Sequence, residues 1–299
     1  MSLTEKRNPA SRGIEGLETG EVLERMHRED RAALRAVKRA IPQVKRAVAA
    51  AVKAIRAGGK VVYAGAGTSG RLGVLDAAEI PPTFGVDAFR AVIAGGAEAV
   101  SRAVEGAEDD RKAGRRAGLR LRARDMALGI SASGATPFVL AFLEAAGEKG
   151  AACWLMTCNR APALPFLDGS IELLTGPELI AGSTRLKAAT ATKLALNMLS
   201  TAAMIRLGGV HDGLMVDVAP SNRKLVARAE RIVMEIAGCD REAAARHLAL
   251  SGMRTKVAAV MAARGVSRRE AESLLRDAGG FLGKALARRK PRARPGKAG

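Results

Sequence analysis

The stretch Lys60-Val-Val-Tyr-Ala-Gly65-Ala-Gly-Thr-Ser-Gly70 decides the fold: an apolar run of strand length passes directly into a turn of glycines and hydroxyls. Helical sequence follows near 70–79. The same order recurs downstream. Residues 89–94 are a second apolar run, with helical sequence from about Ala97, and 126–130 are a third, with a helix over 137–147. Residues 152–157 make a fourth run and 170–174 a fifth candidate, before a long helix at 186–207. Short apolar runs bounded by glycine suit strands covered on both faces. Their alternation with helices predicts an α/β fold, a parallel sheet sandwiched by helices. Ligands in such sheets bind at the carboxyl ends of the strands, so the turns located there carry the functional reading.

On the amino side, residues 1–20 are polar and rich in Gly and Pro, an arm rather than an element. Apolar residues from Val22 to Ile55 then recur at helical spacing, and Pro42 reads as the start of a second helix. On the carboxyl side the chain is wholly helical after about Asn222, in segments 223–237, 241–250, 254–263 and 267–276. Asp240 and Ser267 read as N-caps, and Ser267 with Glu270 as a capping box. The expected organisation is an arm with helices over 1–45, a sheet domain over 46–222, a helical subdomain over 223–286 and a basic tail over 287–299. No internal repeat is evident.

Hydrophobic residues make up 48% of the 299 and aromatics only 3%, so the core is built from Ala, Leu, Val and Ile. The formal charge of +19 gathers partly in the tail, from Arg288 to Lys297, and partly between Arg111 and Arg124. The scarcity of aromatics argues against nucleic acid as the main ligand, because single strands are held by stacking; the basic tail keeps that route open. Cys153, Cys158 and Cys239 are odd in number, which fits a reducing compartment and no disulfide framework. No Cys has a His at ligand spacing, so zinc is not expected, nor is a redox cofactor. No signal core or membrane-length apolar run is present, so a cytoplasmic protein is expected.

The first turn satisfies G-x-G-x-x-G, the pattern of dinucleotide sites. Such a site also wants an acidic residue at the end of the second strand, and here that strand ends Ile93-Ala-Gly-Gly96. Thr68 and Ser69 put hydroxyls where a nucleotide would meet bare backbone. The third strand is followed by Ser131-Ala-Ser-Gly-Ala-Thr136 and then Pro137 at a helix start. Free N–H groups and the positive dipole end of a helix suit a phosphate, and Ser131, Ser133 and Thr136 add hydroxyl donors. Ordinary N-caps would explain one such turn. Two of them in one sheet favour a phosphorylated polyol. Glu79 precedes Pro81 and Pro82, which read as a helix stop leaving it at a rigid, buried corner. Glu105 and Glu108 lie in an acidic run that by spacing alone reads as a solvated face. Two carboxylates beside a bound sugar would serve as acid and base.

Longer motifs go further. Gly65 to Asp76 with Glu79 and Pro81-Pro-Thr-Phe-Gly85, Ala103-Val-Glu-Gly-Ala-Glu-Asp109, Gly182-Ser-Thr-Arg-Leu-Lys187, Leu196-Asn-Met-Leu-Ser-Thr201 and Thr4-Glu-Lys-Arg-Asn-Pro9 resemble the N-acetylmuramic acid 6-phosphate etherases. The resemblance runs from residue 4 to about 286. It implies a sugar isomerase (SIS) domain, a five-stranded flavodoxin-like sheet, in a homodimer with sites near the subunit interface. It also implies release of D-lactate from a phosphorylated amino sugar by elimination and then hydration. Glu79 takes the proton-donor position and Glu108 that of base or water activator. Ser131, Ser133 and Thr136 fall on the phosphate, and Thr68 and Ser69 on phosphate or sugar hydroxyls. Arg185 and Lys187, before a helix, read as ligands of phosphate or of the lactyl carboxylate, with surface charge as the alternative. The chain departs from the family at Ala135, Phe138, Asn159-Arg-Ala161, Ala189 and Thr192, which bears on substrate preference. A non-catalytic sugar-phosphate sensor and a phosphosugar isomerase are the rival readings.

Overall fold

The computed structural model describes residues 3–287, and the basic tail from Arg288 on lies outside them. The chain divides into two compact units, one of residues 1–80 and 86–203, the other of residues 81–85 and the chain from Met204 on.

The first unit holds the sheet. Strands β1 (Val61–Gly65), β2 (Phe89–Ile93), β3 (Met126–Ile130), β4 (Ala152–Thr157) and β5 (Gly169–Glu172) stand in the order β2-β1-β3-β4-β5, all pairs parallel. The chain goes one way from β1 to reach β2 and the other way to reach β3, so the strand order reverses at the β1–β3 pair. Every residue of β1 and β3 is buried, which explains their unbroken apolar sequence.

Helix α1 (Thr19–Arg56) precedes the sheet, and α2 (Gly67–Phe84), α3 (Glu98–Ser101), α4 (Arg111–Gly118), α5 (Pro137–Glu148) and α6 (Lys187–Arg206) follow in order. Here α1 corrects the sequence reading, since one helix of 38 residues runs through Pro42. Proline removes one backbone bond. However, the exposed Pro42 is flanked by a continuous buried face of Ala36, Val37, Ala40, Val44 and Ala47 that holds both halves in line. Similarly, α2 does not stop at Pro81 and Pro82 but continues to Phe84, where the Gly85 N–H closes the last turn on the Pro81 carbonyl (2.9 Å). The helical sequence from Ala97 gives only the single turn α3 before a loop. Against α5, α4 crosses at Gly114 and Gly118. A Cβ on either would lie 2.1 Å and 2.3 Å from the Phe138 and Phe142 carbonyl oxygens, so the basic residues of α4 are turned to solvent.

The second unit contains α7 (Arg223–Ala237), α8 (Arg241–Leu250), α9 (Thr255–Arg264), α10 (Arg268–Asp277) and α11 (Leu282–Ala287). Its core includes Val216 and Val218, so the helical unit begins well before residue 223. The capping box at Ser267 and Glu270 is formed. The expectation of no repeat is overturned. The α8–α9 pair recurs as α10–α11 with an offset of 27 residues, from the Asp240 cap to the Ser267 cap. Buried Ala244, Leu248 and Ala258 match buried Ala271, Leu275 and Ala285. The turn bonds match too: Met253 N–H to Leu248 O at 2.9 Å and Gly280 N–H to Leu275 O at 2.8 Å. Both turns use two left-handed residues, Gly252–Met253 and Gly279–Gly280. No described helix is long and apolar enough to cross a membrane.

Candidate active site

The two hydroxyl turns emerge side by side. Gly65 at the end of β1 pairs with Ile130 at the end of β3, so residues 66–70 and 131–136 share the carboxyl edge where the strand order reverses. The glycines of the first turn serve packing. A Cβ on Gly65 would meet the Gly70 nitrogen at 2.7 Å, and one on Gly70 the Gly65 oxygen at 2.7 Å and Ile93 Cγ1 at 2.6 Å. Strand end and helix start therefore touch, and Thr68 and Ser69 are carried half-buried in the first turn of α2. The first N–H groups of a helix lack internal acceptors, so this turn offers donors and a positive dipole end.

The second turn is organised around one hydroxyl. Ser131, 2% exposed, has its Oγ within 2.7 Å of Thr136 Oγ1 and 3.2 Å of Ser133 Oγ, and accepts the Gly134 N–H at 3.1 Å. Ser133 Oγ accepts the Ala135 N–H at 3.2 Å and is exposed. Gly134 has φ +77°, a conformation L residues rarely adopt, and a Cβ there would meet Thr157 Oγ1 at 3.0 Å. Thr136 is the N-cap of α5, followed by Pro137 at the first helical position, yet its side chain makes no cap bond because it is spent on Ser131. The N-terminal turn of α5 thus opens toward the same edge, ringed by Ser131, Ser133 and Thr136.

Glu108 lies in the segment between β2 and β3. It is exposed on a short 3-10 turn, Ala107–Asp109, whose Ala107 packs against the cluster containing Phe138 and Val139 of α5. Sequence reasoning missed Arg71, which ties α3 and its C-cap residue Arg102 to the start of α2. Its Nε donates to Val100 O at 3.1 Å and its Nη2 to Arg102 O at 2.6 Å.

Glu79 is placed differently. It sits inside α2, exposed, twelve residues beyond Gly67, which is roughly 18 Å along the axis at the α-helical rise. The buried corner expected from Pro81 and Pro82 is absent, because the helix continues through both. One turn before it, Asp76 is 8% exposed and accepts the Tyr63 hydroxyl at 2.9 Å and the Ser200 hydroxyl at 3.1 Å. Burial pushes the Asp76 carboxyl above its ordinary range, against the pull of those two bonds. This buried triad fixes the registry of α2 against β1 and α6, and only the motif containing Asp76 hinted at it.

Arg185 and Lys187 share a separate cavity of about 190 Å³ with Glu29, Asp30 and Glu178. Arg185 is exposed. Lys187 is not an open cation: it is 3% exposed and its ammonium is paired with Glu29. Glu178, fully buried, caps α6 by accepting the Lys187 N–H at 3.3 Å and the Ala188 N–H at 2.9 Å. Burial of a charged pair requires near-complete satisfaction, which accounts for Lys187 turning inward. The three cysteines are free thiols, and burial pushes Cys153 and Cys158 up to about 12, so neither is a nucleophile.

Residues 43–147 match the family model of the glucokinase regulatory protein N-terminal SIS domain. The N-acetylmuramic acid 6-phosphate etherase of Geobacillus thermodenitrificans is 45% identical over 288 residues, covering 95% of this chain and 98% of the relative. That of Rhizobium rhizogenes is 46% identical over 289 residues, covering 95% and 94%. Identity of this order over nearly the full length of both partners places the chain in the N-acetylmuramic acid 6-phosphate etherase family.

Proposed function

We propose that the chain cleaves the D-lactyl ether of N-acetylmuramic acid 6-phosphate, yielding N-acetylglucosamine 6-phosphate and D-lactate, in cytoplasmic recycling of cell-wall amino sugar. The observation that carries the reading is the pair of hydroxyl-rich turns at adjacent strand ends, each opening a helix. The phosphate sits on Ser131, Ser133 and Thr136, with Thr68 and Ser69 on phosphate or sugar hydroxyls. A base removes the C2 proton and the C3–O bond breaks, so lactate leaves with the proton given to its oxygen. Water then adds across the C2–C3 double bond. Glu108, held beside α5, acts as base or water activator, and Glu79 as proton donor. Arg185 is available to the lactyl carboxylate, while Lys187 supports the site from within its ion pair.

Even from Ser69, the hydroxyl of the first turn nearest in sequence, Glu79 lies ten residues and roughly 15 Å along the axis of α2. The reading therefore includes a homodimer in which Glu79 of one copy serves the turns of another. A phosphosugar sensor needs the turns alone, and the distance of Glu79 from them within one chain is the observation in its favour. Incubation with N-acetylmuramic acid 6-phosphate separates the two. The enzyme releases D-lactate, and Glu79→Gln and Glu108→Gln retain phosphate-ester binding but lose turnover. Binding without lactate from the wild-type protein would favour the sensor.

A further inference from the structure

We propose that the N-terminal arm is a clamp that holds the 131–136 turn in its binding shape, with Asn159 as a positioning residue; the functional half of this proposal rests on the phosphate reading of that turn. Asn159 follows β4 and is 5% exposed. Its Nδ2 donates to the carbonyl of Ala132, between Ser131 and Ser133, at 2.8 Å and to Thr4 Oγ1 at 3.2 Å. Its Oδ1 accepts the Leu3 N–H at 2.6 Å. A backbone carbonyl on one side and a backbone N–H on the other leave the amide a single orientation. Neither a carboxylate nor an alkyl group meets both demands. Thr157 Oγ1 at 3.2 Å and the Cys158 N–H at 3.0 Å donate to the same Ala132 carbonyl, so β4 and the residue after it hold the start of the turn while Asn159 links it to the arm.

The arm is itself anchored. Thr4 is fully buried and its carbonyl accepts the Gly182 N–H at 3.1 Å. Asn8 donates to Glu29 at 2.6 Å and to the Pro177 carbonyl at 3.1 Å, and Glu29 holds Lys187 at the start of α6. The arm thus spans from the hydroxyl turn to the Arg185–Lys187 cavity. A turn held before the ligand arrives spares binding the cost of ordering it.

The test uses full-length protein carrying Asn159→Ala or the gentler Thr4→Val, with two readouts. Amide exchange at Gly134 and Ala135 is expected to quicken about fivefold to tenfold, the value of one net hydrogen bond, while β3 and α5 exchange as in wild type. The Kd for N-acetylglucosamine 6-phosphate and the KM for lactate release rise by a similar factor, with kcat nearly unchanged. Loss of global stability with unaltered exchange in the turn would overturn the clamp, as would faster exchange with unaltered Kd. Should Asn159→Ala fail to fold, Thr4→Val decides alone, since it removes only a hydroxyl. Wild-type protein that does not bind the phosphate ester would overturn the phosphate reading of the turn, and with it the clamp's role in binding. Exchange in the variants would then still decide whether the arm holds the turn.

Discussion

Ser131 and Ser133 lie two residues apart in the same turn, yet the structure assigns them different work, and this can be measured. Ser131→Ala removes a buried hydroxyl that contacts Thr136 Oγ1 at 2.7 Å and accepts the Gly134 N–H at 3.1 Å. Two net hydrogen bonds at about 1 kcal/mol each give a loss near 2 kcal/mol. In a unit of this size that lowers the melting temperature by roughly 4–8 °C. Ser133→Ala removes an exposed hydroxyl that accepts the Ala135 N–H and contacts Ser131 Oγ, each at 3.2 Å; water can replace both contacts, so stability should change by no more than about 0.5 kcal/mol. Both variants lose a donor to the phosphate. A hydrogen bond to a charged partner is worth about 1.5–3 kcal/mol, or roughly tenfold to a hundredfold in affinity. Thermal melts and titration with N-acetylglucosamine 6-phosphate separate the two effects. Wild-type affinity in Ser133→Ala would refute the phosphate assignment, and an undiminished melting temperature in Ser131→Ala would refute the description of the turn.

Two further outcomes concern stability. Burial raises the Asp76 carboxyl, so the neutral form is favoured in the folded state; its stabilising contribution is fully present below the unfolded carboxylate range and is lost as pH rises through the folded value. Asp76→Asn keeps a carbonyl for Tyr63 and an amide for Ser200, and in urea denaturation it should be neutral to stabilising by up to roughly 2 kcal/mol at pH 7.5. That advantage should shrink toward pH 4. Met253 occupies the left-handed position that its repeat partner Gly280 fills without penalty, at φ 60° and 83° respectively. Met253→Gly should therefore stabilise the second unit by about 0.5–1 kcal/mol, read from the urea midpoint.

Much of this architecture is legible in the sequence because buried parallel strands must be apolar on both faces, and residues 61–65 and 126–130 are. The hydroxyl turns are legible for a related reason: glycines and hydroxyls immediately after such strands have few other uses. Proline misleads at residues 42, 81 and 82 because its local cost is small beside the apolar burial that holds α1 and α2 continuous. That error also placed Glu79 at a buried corner instead of on an exposed helix face. Lys187 looked free because nothing local announces Glu29, which lies 158 positions earlier. The helical repeat is hidden because it conserves cap geometry, turn conformation and a few small or leucine positions while its surface residues diverge. Asn159 escaped for the same reason as Lys187: its partners Leu3, Thr4 and Ala132 are remote in sequence.

Under the proposed function the bond between the sugar C3 and the ether oxygen is the one that breaks, through elimination and rehydration on the bound phosphosugar. Turnover of N-acetylmuramic acid 6-phosphate in oxygen-18 water tests it directly, with mass spectrometry of both products. Elimination and rehydration place solvent oxygen on C3 of the amino sugar and leave D-lactate unlabelled; label in the lactate, or no lactate at all from protein that binds the substrate, would rule out that course.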